Sequence, residues 1–230
     1  MTLMTPPGVY APQHDTWLLT TALEREKLTG NTSVLDIGTG SGALALAAAR
    51  RGAGQVTAVD VSALAVATAW VRARLEGLRI QVMRGDLLAP VADRHFDLIV
   101  ANPPYVPTPD THDGRAVAWN AGVDGRALID QICRDAPPLL RPGGVLLLVH
   151  SALCGVGGTL ERLGRADAPA AVVDRRLIPF GPVLRERAAW LEAVGLIEPD
   201  VEKEELVVIR AERTPRQRPD ASGTSRVRRA

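Results

Sequence analysis

The sequence predicts an α/β fold, a seven-stranded and mostly parallel sheet with helices on both faces. Three observations carry that expectation. From Ser33 onward, short apolar runs alternate with stretches of helical character. Most of those runs are apolar throughout rather than at every second position, as in strands buried on both faces. A glycine-rich turn, Asp36-Ile37-Gly38-Thr39-Gly40-Ser41-Gly42, joins the first such run to the helix after it, at the place where open α/β sheets bind ligands.

Taken in order, Met1 to Gln13 carries Pro6, Pro7, Gly8 and Pro12 and is expected to be irregular. A helix is expected over His14 to Leu28, with Trp17, Leu18, Thr21, Ala22 and Arg25 at three-four spacing. Asp15 or Thr16 would cap it and Gly30-Asn31 would end it. Val34 to Ile37 reads as a strand, Gly42 to Arg51 as a helix and Gln55 to Val59 as a second strand. Ser62 caps a helix to about Glu76, with Val66, Trp70 and Ala73 on one face. Arg79 to Arg84 and Phe96 to Ala101 are the third and fourth strands. Asp124 caps a helix with Leu128, Ile132 and Ala136 on one side, stopped by Pro137-Pro138, and Gly144 to His150 is the fifth strand. A helix over Val156 to Arg165, a strand over Ala171 to Phe180, a helix over Val183 to Val194 and a strand over Glu205 to Ala211 complete the pattern. One domain therefore spans 1–212, its first 32 residues forming an N-terminal segment and helix. Residues 213–230 are Arg-, Ser- and Pro-rich without apolar periodicity, and are expected to be a disordered basic tail.

Composition narrows the function. The chain of 230 residues is 46% hydrophobic and 23% charged, as expected of a soluble globular protein. Its net charge of +1 hides an asymmetry. Six arginines (213, 216, 218, 226, 228 and 229) face only Asp220 in the tail, which leaves a body near −4. That body does not advertise nucleic-acid binding, although the tail could serve as an electrostatic arm for RNA. Cys133 and Cys154 are too few and too far apart for a disulfide framework or a zinc site. With no apolar run of membrane length and no leader pattern, a cytoplasmic location is expected.

The glycine turn alone is a weak signal, since Gly38-x-Gly40-x-x-Ala43 also satisfies a relaxed dinucleotide fingerprint. Two acids sharpen it. Asp60 ends the second strand, where a carboxylate can accept both hydroxyls of a ribose. Asp86 ends the third, where it can accept the exocyclic amine of adenine while Leu87 packs on the ring. A nucleoside fits the set. The glycine turn carries no lysine or arginine for a pyrophosphate, which favours S-adenosylmethionine over a dinucleotide. Gly38 and Gly40 would then face the methionine end and Asp36 would orient it.

Across the same edge, Asn102-Pro103-Pro104-Tyr105 follows the fourth strand. The prolines hold Asn102 extended. Its side-chain oxygen and the Pro103 carbonyl can accept the two N–H bonds of an amide or aryl amine, with the Tyr105 ring beside it. No metal is required for an in-line methyl displacement arranged this way.

These motifs resemble the S-adenosylmethionine-dependent methyltransferases of planar or amide nitrogens, and within them the HemK-like glutamine N5-methyltransferases. Val9 to Leu19 is similar to that family's lead-in segment over the cofactor, and Trp119 to Arg126 to its segment after the Asn-Pro-Pro-Tyr motif. The compact eukaryotic and archaeal subgroup, without the N-terminal helical domain, is the nearest likeness. The resemblance implies a Rossmann-like class I methyltransferase fold with Thr16, Asp36, Gly38, Gly40, Asp60, Asp86, Leu87 and Asn102 at the cofactor. Asn102, Pro103 and Tyr105 would hold the target. It implies methylation of a protein glutamine, as in the Gly-Gly-Gln loop of a translation release factor, and a small zinc-binding activator protein as a partner. Three departures bear on the target. Gln13-His14 precedes Asp15 where the family tends to have an acid, and the Ala171 to Leu196 region and arginine tail are additions. Lysine, the exocyclic amine of an RNA or DNA base, and a small molecule remain as alternative acceptors, and a cofactor-binding regulator as a non-enzymatic reading. His14, His95, His112 and His150 read as surface or capping residues, and Val106 to Asn120 as a surface loop or a lid beside the clamp.

Overall fold

A computed structural model describes residues 5–109 and 121–215. Seven strands make one sheet: β1 (Ser33–Ile37), β2 (Gln55–Asp60), β3 (Ile80–Arg84), β4 (Phe96–Ala101), β5 (Leu140–Ser151), β6 (Ala170–Pro179) and β7 (Lys203–Glu212). Their spatial order is β3-β2-β1-β4-β5-β7-β6. The first five strands run parallel, and β7 runs antiparallel between β5 and β6. The helices are α1 (His14–Arg25), α2 (Ala43–Arg50), α3 (Ala63–Leu75), α4 (Ala127–Asp135), α5 (Val156–Arg165) and α6 (Pro182–Ala193). None is long and apolar enough to cross a membrane among the described residues. Leu35, Ile37, Phe96, Ile99, Leu146 and Leu148 form the centre of the core, with Leu18, Leu19 and Leu23 of α1 packed onto it. A smaller cluster of Phe180, Leu184, Leu191 and Ile197 seats α6.

The expected seven-stranded, mostly parallel architecture is present, with differences in detail. The N-cap of α1 is Gln13, without a side-chain bond, and the helix ends at Arg25. Asp15 and Thr16 lie inside its first turn and are buried, whereas Trp17 is exposed against His14. Ser62 does cap α3, accepting from Ala65 N at 3.3 Å. The buried face of α3, however, is Ala65, Ala69 and Ala73, and Trp70 stands in solvent with Arg74 over its ring. The reason is proximity: a β-carbon on Gly42 would already lie 3.0 Å from that of Ala69, so only alanine fits there. Asp124 is not the cap of α4; its carboxylate accepts from Arg126 N ahead of the helix. Ile129, Ile132, Cys133 and Ala136 form the buried set there.

His150 is not a surface residue. It is wholly buried, donating from Nδ1 to the Ser151 carbonyl at 2.8 Å and accepting at Nε2 from Thr159 at 3.1 Å. Burial pushes its imidazole below the usual range, so it is neutral. Arg213 and Thr214, assigned above to the tail, are tied down: Arg213 N donates to Gly144 O and Thr214 N to Asp167 O. The span 216–230, and the loop from 110 to 120 with His112, Trp119 and Asn120, lie outside the described residues.

Candidate active site

The sheet order reverses at β1. The chain runs outward from it through β2 and β3, then crosses back to β4 on its other side. Such a reversal opens a crevice at the carboxyl edge. Register fixes what lines it: Ile37 pairs with both Val59 and Ala101. Gly38, Asp60 and Asn102 therefore leave three adjacent strands side by side. Gly85 N donates to the Asp60 carbonyl at 3.0 Å, which brings Asp86 to the same edge. All the expected site residues after strand ends thus meet there.

The glycine turn forms an open floor. Gly38 has φ +67, and a β-carbon on it would meet nothing within 4 Å. Gly40, with φ +54, lies under the N-terminal segment: its added β-carbon would sit 3.6 Å from the Tyr10 carbonyl and Cβ. Asp60 shapes the turn, accepting from Gly40 N at 2.8 Å through Oδ2 and from Ser62 N at 2.9 Å through Oδ1. Each oxygen keeps a lone pair for a ligand hydroxyl. Asp36 is fully buried and accepts through Oδ2 from Thr39 Oγ1 at 2.6 Å and Ala45 N at 3.0 Å. Its Oδ1 has no partner, and burial pushes the carboxyl up to about 7. Asp86 is exposed. Leu87 next to it adopts φ +42, a left-handed backbone that costs a non-glycine residue about 1–2 kcal/mol. Strain of that kind collects at ligand sites.

On the other bank of the crevice, Pro103 and Tyr105 are buried and Asn102 half-buried. Asn102 Nδ2 donates to Thr16 Oγ1 at 3.3 Å, and Thr16 Oγ1 donates to Asp15 Oδ1 at 3.2 Å. Thr16 N reaches the same oxygen at 2.5 Å. Asp15 Oδ2 accepts from Tyr10 OH at 2.7 Å and from Tyr105 OH at 3.1 Å. Burial and then the Asp15 charge raise both phenols above their ordinary range, so they stay protonated donors. This network decides which way the Asn102 amide points. With Nδ2 committed to Thr16, Oδ1 is left as an acceptor with no donor among the described residues.

The backbone of Tyr105 is pinned as well. Cys154 Sγ donates to its carbonyl at 3.1 Å. Gly125, φ +73, passes so close that a β-carbon would lie 2.2 Å from the same oxygen. Arg126 holds the Cys154 and Gly155 carbonyls while pairing with Asp130 at 2.6 Å. Thr108 N to Gly122 O, 3.1 Å, closes the base of the following loop, and Arg187 of α6 reaches Pro107 O at 2.7 Å.

Three residues of this arrangement were not singled out as site residues from sequence. Tyr10 and Asp15 sit in the quoted N-terminal segment, where an acid followed by a hydroxyl residue at a helix start was the available signal. Glu204, whose carboxyl lies close enough to raise both phenols, had no local signal.

Residues 1–167 match the family described as methyltransferase small domain. The chain belongs to that family. It is 33% identical over 177 residues to a Methanocaldococcus jannaschii protein named as a candidate protein N5-glutamine methyltransferase, covering 76% of this chain and 88% of that one. It is 38% identical to the release factor glutamine methyltransferase of Geobacter sulfurreducens, over 62% of this chain and 53% of that one, and so spans about half the length of that enzyme. Among solved structures, Mtq2 in the E. cuniculi Mtq2–Trm112 complex, responsible for methylation of the termination factor eRF1, has a TM-score of 0.64 at 26% identity, covering 90% of this chain and 99% of that one. The T. thermophilus 16S rRNA N2 G1207 methyltransferase RsmC, solved with AdoMet and guanosine, has a TM-score of 0.61 at 25% identity, covering 90% of this chain and 46% of that one. The fold is that of the class I methyltransferases.

Proposed function

We propose that this methyltransferase moves the methyl group of S-adenosylmethionine onto the side-chain nitrogen of a protein glutamine. The observation that carries the reading is the fixed amide of Asn102, whose free Oδ1 stands one strand away from the open floor at Gly38. The cofactor fits the donor side. Asp36 Oδ1, buried and without a partner, suits the electrostatic orientation of an ammonium group. The Gly38 floor leaves room for close approach, and Asp60 matches a ribose diol. Asp86 and Leu87 would flank the adenine. Bound there, the cofactor supplies a methyl activated by its sulfonium.

The chain's own residues then work by orientation. A glutamine nitrogen is a poor nucleophile because its lone pair is delocalised into the carbonyl. Hydrogen bonds from its two N–H groups to Asn102 Oδ1 and the Pro103 carbonyl hold it for in-line attack and favour localising that lone pair. Tyr105 packs beside it. As the N–C bond forms the methyl–sulfur bond would break, leaving a neutral thioether, and one N–H proton would pass to water.

The names of the relatives support a release factor, through a Gly-Gly-Gln loop, as the macromolecular target, and a target of that kind supports a cytoplasmic location. Assembly of Mtq2 with Trm112 supports a small activator protein as partner. The RsmC likeness favours one second reading, the exocyclic amine of a nucleic-acid base, with the arginine tail as an RNA contact. The test is transfer of labelled methyl to release factors and Gly-Gly-Gln peptides, with and without an activator, followed by mapping of the modified residue. Asn102→Ala should keep most of its cofactor affinity while turnover collapses. Label on a base or a lysine, or undiminished turnover in the variant, overturns the reading.

A further inference from the structure

We infer that Glu204 is a positioning residue for the acceptor clamp: a buried carboxyl that must be neutral for Asp15 to hold Tyr10, Tyr105 and, through Thr16, Asn102. The inference rests on the reading of Asn102 as the clamp.

Glu204 lies at the start of β7 and is 5% exposed. The Ser151 hydroxyl, at the end of β5, is the one neighbouring group that favours the charged form of its carboxyl. Its Oε2 is buried with no partner at all, and no arginine or lysine pairs with it among the described residues. The titratable groups around it are Asp15 and Tyr10 from the N-terminal segment, Tyr105 from the clamp and Cys154 from the turn after β5. Every one of them is neutral or negative. Asp15 collects four donors, two on each oxygen, whereas Glu204 has one hydroxyl and a bare oxygen. A buried carboxyl with so few donors and no cation beside it keeps its proton. Burial and then the Asp15 charge push Glu204 up to about 7.

The consequence is mechanical. A second anion beside Asp15 is relieved only by drawing a phenol hydroxyl away from Asp15 or by swinging Glu204 out of the core. Either loosens the Tyr105–Asp15–Thr16–Asn102 chain. A glutamine amide does not titrate in this range, so no gain in nucleophile basicity masks the loss.

The experiment is a pH profile of single-turnover methyl transfer at saturating cofactor from about pH 6 to about pH 9, for the wild type and Glu204→Gln. It is paired with a ¹³C NMR titration of carboxyl-labelled glutamate, with the Glu204 signal assigned by its absence from that variant. The wild-type rate should fall several-fold with a midpoint near 7, and Glu204→Gln should be flat and within about two-fold of wild type at the acid end. Cofactor affinity should not follow the decline. The same decline in Glu204→Gln, or a Glu204 carbon that titrates in the ordinary carboxylate range, overturns the inference. If no glutamine substrate accepts methyl, the proposed function fails on its own. The NMR arm still decides: a midpoint near 7 with a concurrent shift of the Tyr105 ring supports the brace, and an ordinary midpoint or an unmoved ring sinks it.

Discussion

Thr16→Val tests the geometry of the clamp directly. The exchange keeps the shape of the side chain and removes its hydroxyl. Asn102 Nδ2 then loses its acceptor at 3.3 Å, and Asp15 Oδ1 loses one of two donors while keeping Thr16 N at 2.5 Å. A neutral hydrogen bond is worth about 1 kcal/mol net. Without it, the amide no longer favours the orientation that presents Oδ1 to the crevice, by roughly five-fold. Asp15 stays anchored by three donors, so the fold itself should be little disturbed. The expected result is a fall of about five- to ten-fold in kcat at saturating S-adenosylmethionine. Thr16→Ser, which restores the hydroxyl, should stay within about two-fold. Because Thr16 is also read as a cofactor contact, affinity must be measured separately by calorimetry. An unchanged kcat in the valine variant, or a loss confined to cofactor affinity, would refute the claim that Thr16 orients Asn102.

Two further outcomes follow from the same structure. Gly38→Ala places a methyl group on the open floor at φ +67, where an L residue costs about 1–2 kcal/mol. Cofactor affinity should drop about ten-fold or more by calorimetry while the circular dichroism spectrum is kept. His150 sets an acid limit. Its pKa is lowered mainly by burial, so its contribution to stability is complete above the unfolded imidazole value of about 6.5 and is lost as pH falls toward the folded one. The urea midpoint should decrease between about pH 7 and pH 5, and less so in His150→Gln, which keeps one donor and one acceptor near Ser151 O and Thr159.

The parallel sheet was readable because β1, β4 and most of β5 are buried on both faces and so apolar at nearly every position. The acids and glycines of the site were readable for a related reason: parallel strands deliver their C-terminal residues to one edge. What escaped depends on distance, not composition. The buried face of α3 is its alanines because Gly42 and Ala69 nearly touch, whereas a reading by side-chain size turned Trp70 inward. The anchor of Tyr105 is an acid 90 residues away. Glu204 joins the cluster only because β7 inserts between β5 and β6, and no local pattern reveals such an insertion. Arg213 and Thr214 looked like tail, but their order comes from backbone bonds to Gly144 and Asp167, which any residue could make.

The N-terminal segment serves both banks of the crevice. Tyr10 packs over Gly40 on the cofactor side and donates to Asp15, while Thr16, six residues on, receives the Asn102 amide. Asp15 and Thr16 stand on the first turn of α1, whose Leu18, Leu19, Ala22 and Leu23 are locked into the core. The donors and acceptors that set the Asn102 amide are therefore carried by a helix and a proline-stiffened strand end rather than by loops, and groups so mounted need little reorganisation when the target arrives. The 106–109 and 121–126 arms are tied to the clamp by the close approach of Gly125 to the Tyr105 carbonyl and by the Thr108–Gly122 bond at the base of the loop, with Arg187 on Pro107 O. On the proposed function, chemistry and choice of macromolecule would fall to different parts of the chain: α1 and β4 would aim the acceptors of the nitrogen, and the arms beyond Tyr105, tied to α6 through Arg187, would meet whatever carries the amide.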